Sequence, residues 1–402
     1  MSLTLDPERL ERISGWAEAS VATGRFAGMS VLIRQGGQEV FYKQAGLRDL
    51  DSGAPFARDT VARIYSMTKP VTSLILMMLV EEGRLHLDAP LSRFLPEFAG
   101  LRALVPDARG LDDTETCLMP TLHQLLTHRA GFSYPFNPGL LAEAMAERDL
   151  LFKPTSGTLA DQCAALATLP LAFQPGARWE YSVGIDVIGR VIEVVEGAPL
   201  DKVFRRRVLD PLGMNETSFA VSDALLDRFA TLYTRLPGNP LDLQSAAPDG
   251  ADLRLYDDAR TSPFRHTTCF SGGGGLVGTI DDYMAFAEAL RQGGQGLVSP
   301  STLRFMLTNH LPGDIASLGP KSFAEQPMEG VGFGIGGAVV LDPARSRVPS
   351  SRGDFSWGGM ASTFFWIDPV HDITAVLFTQ LTPSSSTPAR AELKALVHGA
   401  LM

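Results

Sequence analysis

Runs of β-branched and aromatic residues cluster at the two ends of this chain, and that placement limits the folds open to it. Near the N-terminus, "GMSVLIRQGGQEVFYKQAG" (Gly28 to Gly46) reads as two strands joined at Gly36-Gly37. After residue 330, "GFGIGGAVVLD", "SWGG", "ASTFFWID" and "ITAVLFTQL" read as strands with tight connections. Helical patterns flank both groups. Leu10, Ile13, Ala17 and Val21 share one face of a first helix with Trp16 at its edge, and "TPARAELKALVHGAL" closes the chain as a helix starting at Thr387 and Pro388. Strands thus cluster at both ends of the chain and helices fill the middle, and the simplest arrangement joins the two groups. The expected architecture is α/β (α+β): one antiparallel sheet built from both chain ends, flanked by the terminal helices, with a large helical insertion. Residues 1–84 and 331–402 would form the sheet region and 85–330 the mostly helical region, with the site between them.

The middle supports this reading. "TLHQLLTHRAGF" is a helix capped by Thr121 and stopped by Gly131, and "GIDVIGRVIEVVEG" and "TIDDYMAFAEALRQGG" are two more, each ending at glycine. The stretch from Leu236 to Thr268 has no clear period and reads as a long loop, a lid or specificity wall. The loops 132–160, 233–268 and 311–330 are expected to set substrate choice.

Charge and composition remove several function classes. The net charge is −10 with no long basic run, which argues against nucleic acid and anionic membranes as main partners. At 45% hydrophobic and 20% charged residues, the chain can bury a large core. "VTSLILMMLV" is apolar but too short to span a bilayer and reads as a buried helix. Cys117, Cys163 and Cys269 are odd in number and form no CxxC, so neither a disulfide framework nor a metal knuckle is expected. With no apolar h-region at the N-terminus, the expected location is cytoplasmic.

Three short stretches carry the chemistry. In "IYSMTKPVTSL", Ser66 precedes Lys69 by one turn at the start of a helix read over Ser66 to Glu82 and ended by Gly83; Pro70 is tolerated only in a first turn. The pair is a nucleophile and its base, or a capping serine and a solvated lysine. An apolar helix behind it favours chemistry, because a buried lysine needs a partner. In "QPGARWEYSVG", Tyr181 follows a Pro-Gly turn, and in "FSWGGMAS" two adjacent glycines let another group approach a strand backbone. Taken alone, each has a structural explanation: a packed aromatic, a β-bulge.

Together and in this order, the three stretches resemble the serine β-lactamase and penicillin-binding-protein superfamily on its class C side, and most closely the family VIII carboxylesterases. "LLTHRAG" (Leu125 to Gly131) and the Gly272–Gly275 run before Leu276 add to the likeness, which spans nearly the whole chain. The resemblance implies that Ser66 is the acylated nucleophile and that Lys69 takes its proton. It implies that Tyr181 relays that proton and that the backbone N–H groups of Ser66 and Met360 form the oxyanion hole. The sequence leaves open which of Lys69 and Tyr181 is the resting base.

Two departures narrow the substrate. Position 183 is Val where Tyr-x-Asn is usual, and Trp357-Gly358-Gly359 stands where Lys-Thr-Gly is usual. The absent lysine would anchor a substrate carboxylate, so Trp357, Gly358 and Gly359 are expected to line a site for small uncharged esters, as in the esterase group. The expected function is a serine esterase acting on short-chain or small uncharged carboxylic esters. The alternatives are a class C-like β-lactamase, a D-amino-acid peptidase or an acyltransferase using the same residues, or a silent binding protein. No G-x-S-x-G elbow and no H-E-x-x-H occurs, so no metal or other cofactor is implied. Asp112-Asp113, Asp257-Asp258 and Asp281-Asp282 read as caps and solvated turns, and His128 as a packed, hydrogen-bonded histidine. The expected partner is a small-molecule ester; oligomeric state is not encoded legibly.

Overall fold

The computed structural model describes residues 3–402 apart from 244, 246 and 249. Its centre is a seven-stranded antiparallel sheet drawn from both ends of the chain. The first hairpin supplies β1 (Gly28–Gln35) and β2 (Gln38–Gly46), turning at Gly36-Gly37. The C-terminal part supplies β3 (Val331–Phe333), β4 (Ala338–Val340), β5 (Phe355–Gly358), β6 (Phe364–Asp368) and β7 (Ile373–Thr379). The order across the sheet is β3-β4-β5-β6-β7-β1-β2. The two ends join where β1 pairs antiparallel with β7, Leu32 opposite Val376 and Met29 opposite Thr379.

The strand sequences explain why both faces are covered. Successive side chains point to opposite faces. On β6, Phe364 and Trp366 enter one core while Phe365 and Ile367 enter the other, and all four are buried. On β7, Ala375 and Leu377 alternate in the same way with Val376 and Phe378. Such strands read as continuous apolar runs. Helix α1 (Pro7–Ala22), capped by Asp6, lays Leu10, Ile13 and Ala17 on one face. The last helix, α6 (Ala389–His398), adds Leu393 and Val397 to the same core.

The opposite face carries the larger core. Helix α2 (Thr68–Glu81) is buried from Thr68 to Leu79. Around it lie α3 (Leu122–Leu126), α4 (Gly184–Glu196) and α5 (Ile280–Arg291). Although α5 falls inside the 85–330 segment, it rests on the sheet, with Tyr283 edge-on to Phe365 at 5.1 Å between ring centroids. No described helix is long and apolar enough to cross a membrane.

Four expectations need correction. The helix starts at Thr68, and Ser66 lies in a 3₁₀ turn, Tyr65–Met67, just before it. Helix α3 ends at Leu126, well short of Gly131, because His128 already takes φ 55°. The stretch 236–268 is not all loop: Arg254–Asp257 forms a strand paired with Leu232–Thr234. Asp257 and Asp282 are not solvated turn residues. Asp257 pairs with the fully buried Arg63 at 2.8 Å, and Asp282 accepts hydrogen bonds from the Glu216 N–H and the Thr217 hydroxyl. His128 is packed and hydrogen-bonded, as expected.

Phe365 joins sheet and helix layer at full burial. Phe365→Ala is expected to cost about 3–5 kcal/mol of stability. Urea unfolding checks this; a cost under about 1 kcal/mol would mean that the two layers do not pack here.

Candidate active site

Ser66, Lys69 and Tyr181 converge although they come from separate segments. The Tyr181 hydroxyl donates to Ser66 Oγ at 2.6 Å, and Lys69 Nζ lies 3.2 Å from the same oxygen. Tyr65, next to the serine, takes φ 42°, a conformation L-residues seldom adopt. Its ring packs edge-on against Phe264 at 6.0 Å, so the long 236–268 segment braces the turn that presents Ser66.

Lys69 is fully buried, which a lysine tolerates only with full partnership. Nζ donates to the Gly273 carbonyl at 2.7 Å and reaches the Tyr134 hydroxyl at 2.9 Å. The carbonyl can only accept. Tyr134 donates its own proton to Asp186 Oδ2 at 3.3 Å, so it too accepts from Lys69. Two of the three Nζ directions are thereby fixed, and the third faces Ser66 Oγ. Nζ also sits 4.6 Å from the Tyr181 ring centroid.

Behind this group lies Asp186, buried on the first turn of α4. Besides Tyr134 it accepts from the Ser271 hydroxyl and, at 3.0 Å, from the Gly273 N–H. Burial pushes its carboxyl upward from the ordinary range, opposed by Lys69 and these donors. Burial likewise lifts the Tyr134 hydroxyl well above its usual value, with Asp186 adding to the effect, so Tyr134 stays protonated. Gly273 is required here: a Cβ on it would fall 2.2 Å from Asp186 Oδ2. Sequence reading missed Tyr134 and Asp186. Both stand close to motifs already singled out, in "GFSYPF" after α3 and in "YSVGID" after Tyr181.

His128 is no base. It is buried, its Nδ1 accepts from the Ser182 N–H at 3.2 Å, and its ring packs 4.8 Å from that of Tyr181. Burial, then the nearby Lys69, holds its pKa well below the histidine range, so it is a neutral wedge behind the tyrosine.

A largely apolar cavity of about 390 Å³ opens on Ser66. Trp357, Gly358, Gly359 and Met360 form one wall of it. Trp357 stacks on Phe323 at 6.0 Å and lies 5.4 Å from the Tyr181 ring. Phe323 comes from a small hairpin, Ser322–Phe323 paired with Gln326–Pro327, that the sequence did not reveal. Gly359 also has a packing reason, since a Cβ there would meet the Ile64 carbonyl oxygen at 2.3 Å.

Two cations reach the cavity from α6, where none was foreseen: Arg390 and Lys394. Both are neutralised. Arg390 Nε lies 3.2 Å from Glu325 Oε1, and Lys394 Nζ 3.2 Å from Asp354 Oδ2. Arg390 also donates to the Gly359 carbonyl at 3.0 Å.

An antiparallel sheet backed by an apolar helix, with serine, lysine and tyrosine meeting at that helix's start, defines a serine hydrolase of the β-lactamase and transpeptidase fold. The chain belongs to the Beta-lactamase family, whose model matches residues 13–399. It is 36% identical over 379 residues to Protein Rv1367c of Mycobacterium tuberculosis, covering 92% of this chain and 89% of that one. It is 30% identical over 383 residues to Esterase EstB of Burkholderia gladioli, with the same coverage, 92% and 89%. Among solved structures it matches EstCE1, described as a hydrolase with promiscuous acyltransferase activity, at a TM-score of 0.80 and 30% identity over 98% of each chain.

Tyr134→Phe removes the hydroxyl between Lys69 and Asp186. The protein is expected to fold, to lose about 1–3 kcal/mol of stability, and to lose about tenfold or more in kcat with KM little changed. Unchanged kcat on the best ester substrate would remove Tyr134 from any part in holding Lys69.

Proposed function

We propose that this protein hydrolyses short-chain or small uncharged carboxylic esters through an acyl-enzyme on Ser66. The observation that carries the reading is the position of Ser66 Oγ between the Tyr181 hydroxyl at 2.6 Å and Lys69 Nζ at 3.2 Å. In the first half-reaction, Oγ bonds to the ester carbonyl carbon and its proton passes to the Lys69–Tyr181 pair. The carbonyl oxygen takes the negative charge, held by the backbone N–H groups of Ser66 and Met360; one such donor is typically worth about 3–4 kcal/mol. The C–O bond to the alcohol then breaks, and Tyr181 returns the proton to the leaving oxygen. In the second half, water gives a proton to the same pair as its oxygen bonds to the acyl carbon; the bond to Ser66 Oγ then breaks, the pair returns the proton to Oγ, and the acid leaves.

Trp357, Gly358 and Gly359 would seat the acyl or alcohol group against an aromatic wall. The esterase names among the relatives support this class, and the paired state of Arg390 and Lys394 supports a neutral substrate. Acyl transfer to an alcohol is the second reading, favoured by the apolar cavity beside Ser66, where an acceptor alcohol can compete with water. We further take residues 1–84 and 331–402 as one region and 85–330 as the other, with the site at their junction. Three free cysteines fit a reducing, cytoplasmic setting.

Ser66→Ala is expected to abolish ester turnover, and a fluorophosphonate probe should add its mass to Ser66; more than a few per cent of activity left in the pure mutant would exclude the role. Lys69→Ala and Tyr181→Phe should each lower kcat at least about a hundredfold, with the double mutant little worse than either. Strictly additive losses would show that the two act apart.

Specificity gives a separate check. On a panel of p-nitrophenyl esters beside a chromogenic cephalosporin, acyl chains of about two to six carbons should exceed the cephalosporin at least about a hundredfold in kcat/KM, since its carboxylate would lose hydration beside Trp357 while Arg390 and Lys394 are already paired. Equal values would refute the uncharged-ester assignment while leaving the acyl-enzyme intact.

A further inference from the structure

At the end of β6 remote from the cavity, the chain runs Asp368-Pro369-Val370-His371 before β7 begins. The last turn of α6 brings His398 to the same point. One ligand atom from each of Asp368, His371 and His398 lies within 4.8 Å of the others. His398 Nε2 is 3.7 Å from Asp368 Oδ2, close to the roughly 3.4 Å that separates two ligands on a tetrahedral ion with bonds of about 2.1 Å. The two imidazole rings stand 6.1 Å apart at 78°.

The polar accounting here is incomplete. Asp368 is fully buried. Its Oδ1 accepts from the Val370 and His371 N–H groups at 2.8 and 3.0 Å, and its Oδ2 from the Ser351 hydroxyl at 2.7 Å. None of these donors is charged. The nearby Lys394 is committed to a second buried carboxylate, Asp354. His371 Nδ1 and His398 Nε2 are both buried and have no hydrogen-bond partner among the described residues. Buried nitrogens without partners beside a buried carboxylate that no lysine or arginine pairs make a donor set suited to a cation. All three groups come from fixed elements: a strand end, the turn it makes, and a helix end.

We propose that Asp368, His371 and His398 form a zinc site, with Zn²⁺ held by one carboxylate oxygen, His371 Nδ1 and His398 Nε2, and water completing the shell. Two imidazoles and one carboxylate suit Zn²⁺. Binding draws the three atoms together by small side-chain rotations and supplies the cation that Asp368 lacks. The site clips α6 to the β6–β7 turn. We assign it a structural role: none of the three ligands lines the cavity, and Phe364, the cavity-lining residue of β6, lies four residues away, about 13 Å along the strand. The same helix carries Arg390 and Lys394 to the cavity wall, so the clip fixes their height there. The inference is independent of the chemistry proposed for Ser66.

The test uses the full chain, stripped with a chelator and dialysed into metal-free buffer. Zn²⁺ added at micromolar concentration should bind one per chain and raise Tm by about 2–5 °C. Co²⁺ in its place should give visible absorption bands that Zn²⁺ abolishes. His371→Gln and His398→Gln should each lower Zn²⁺ affinity at least about tenfold and remove the Tm response. If either variant fails to fold, the wild-type stoichiometry, Tm shift and Co²⁺ bands decide alone. No stoichiometric Zn²⁺ on the wild-type chain would overturn the site and leave a plain His398–Asp368 contact. Zn²⁺ bound equally well by folded variants would overturn it too.

Discussion

The amino group of Lys69 sits with no solvent exposure in the larger core, and the structure around it is arranged to make that tolerable. A buried amine without partners costs several kcal/mol. Here each Nζ direction meets an oxygen, and each oxygen comes from a different part of the chain: Ser66 from the turn before α2, Tyr134 from the loop after α3, and the Gly273 carbonyl from the glycine run. Asp186 then ties Tyr134, Ser271 and the Gly273 N–H together from the start of α4. The network holds four segments in register, and only in that register does a serine stand beside a lysine.

The same constraint explains the glycines better than loop flexibility does. Gly272 and Gly273 do not take positive φ; their requirement is closeness. A Cβ on Gly272 would meet the Ile185 carbonyl at 2.9 Å, and one on Gly273 would strike Asp186. The run therefore lies directly against the first turn of α4, and its carbonyl and N–H become the fixed acceptor and donor of the buried network. Across the cavity, Gly358 leaves room for the Arg390 guanidinium, whose carbon would lie 2.4 Å from a Cβ placed there.

What was legible in the sequence follows from range. Residue type and local punctuation are short-range signals, so the sheet strands could be read as β-rich runs between turns, α1 from its apolar stripe and α2 from its unbroken apolar run, and strands at both chain ends pointed to one shared sheet. Ser66, Lys69 and Tyr181 were singled out through motif order, and the fold brings the three side chains together. Tyr134 and Asp186 were missed because a tyrosine after "GFS" and an aspartate in a first helical turn have ordinary explanations, a packed ring and a dipole partner. Only the long-range contact separates those from a buried relay. Phe323 and Glu325 were hidden for another reason: their hairpin has two residues per strand, too few to show alternation. The end of α3 was misplaced because Gly131 looked like the stop, whereas His128 already turns the chain at φ 55°.

The cavity wall shows how a missing lysine differs from missing positive charge. Trp357 takes the strand position where a cation was looked for, yet Arg390 and Lys394 bring two cations to the same cavity from α6. On the proposed reading, specificity turns on their pairing. Glu325 and Arg390 are both nearly buried, and burial raises the Glu325 carboxyl above its ordinary range against the pull of Arg390. A ligand carboxylate that took Arg390 would leave Glu325 buried without its partner. Two like charges 4 Å apart repel by about 4 kcal/mol at an effective dielectric constant of 20. An uncharged acyl group would meet no such cost, because it would displace nothing and would rest against the Trp357 and Phe323 wall. On that reading the selection would fall to the hairpin that carries both Phe323 and Glu325: one residue would supply the apolar contact, and the other occupies a cation that an anionic substrate could use.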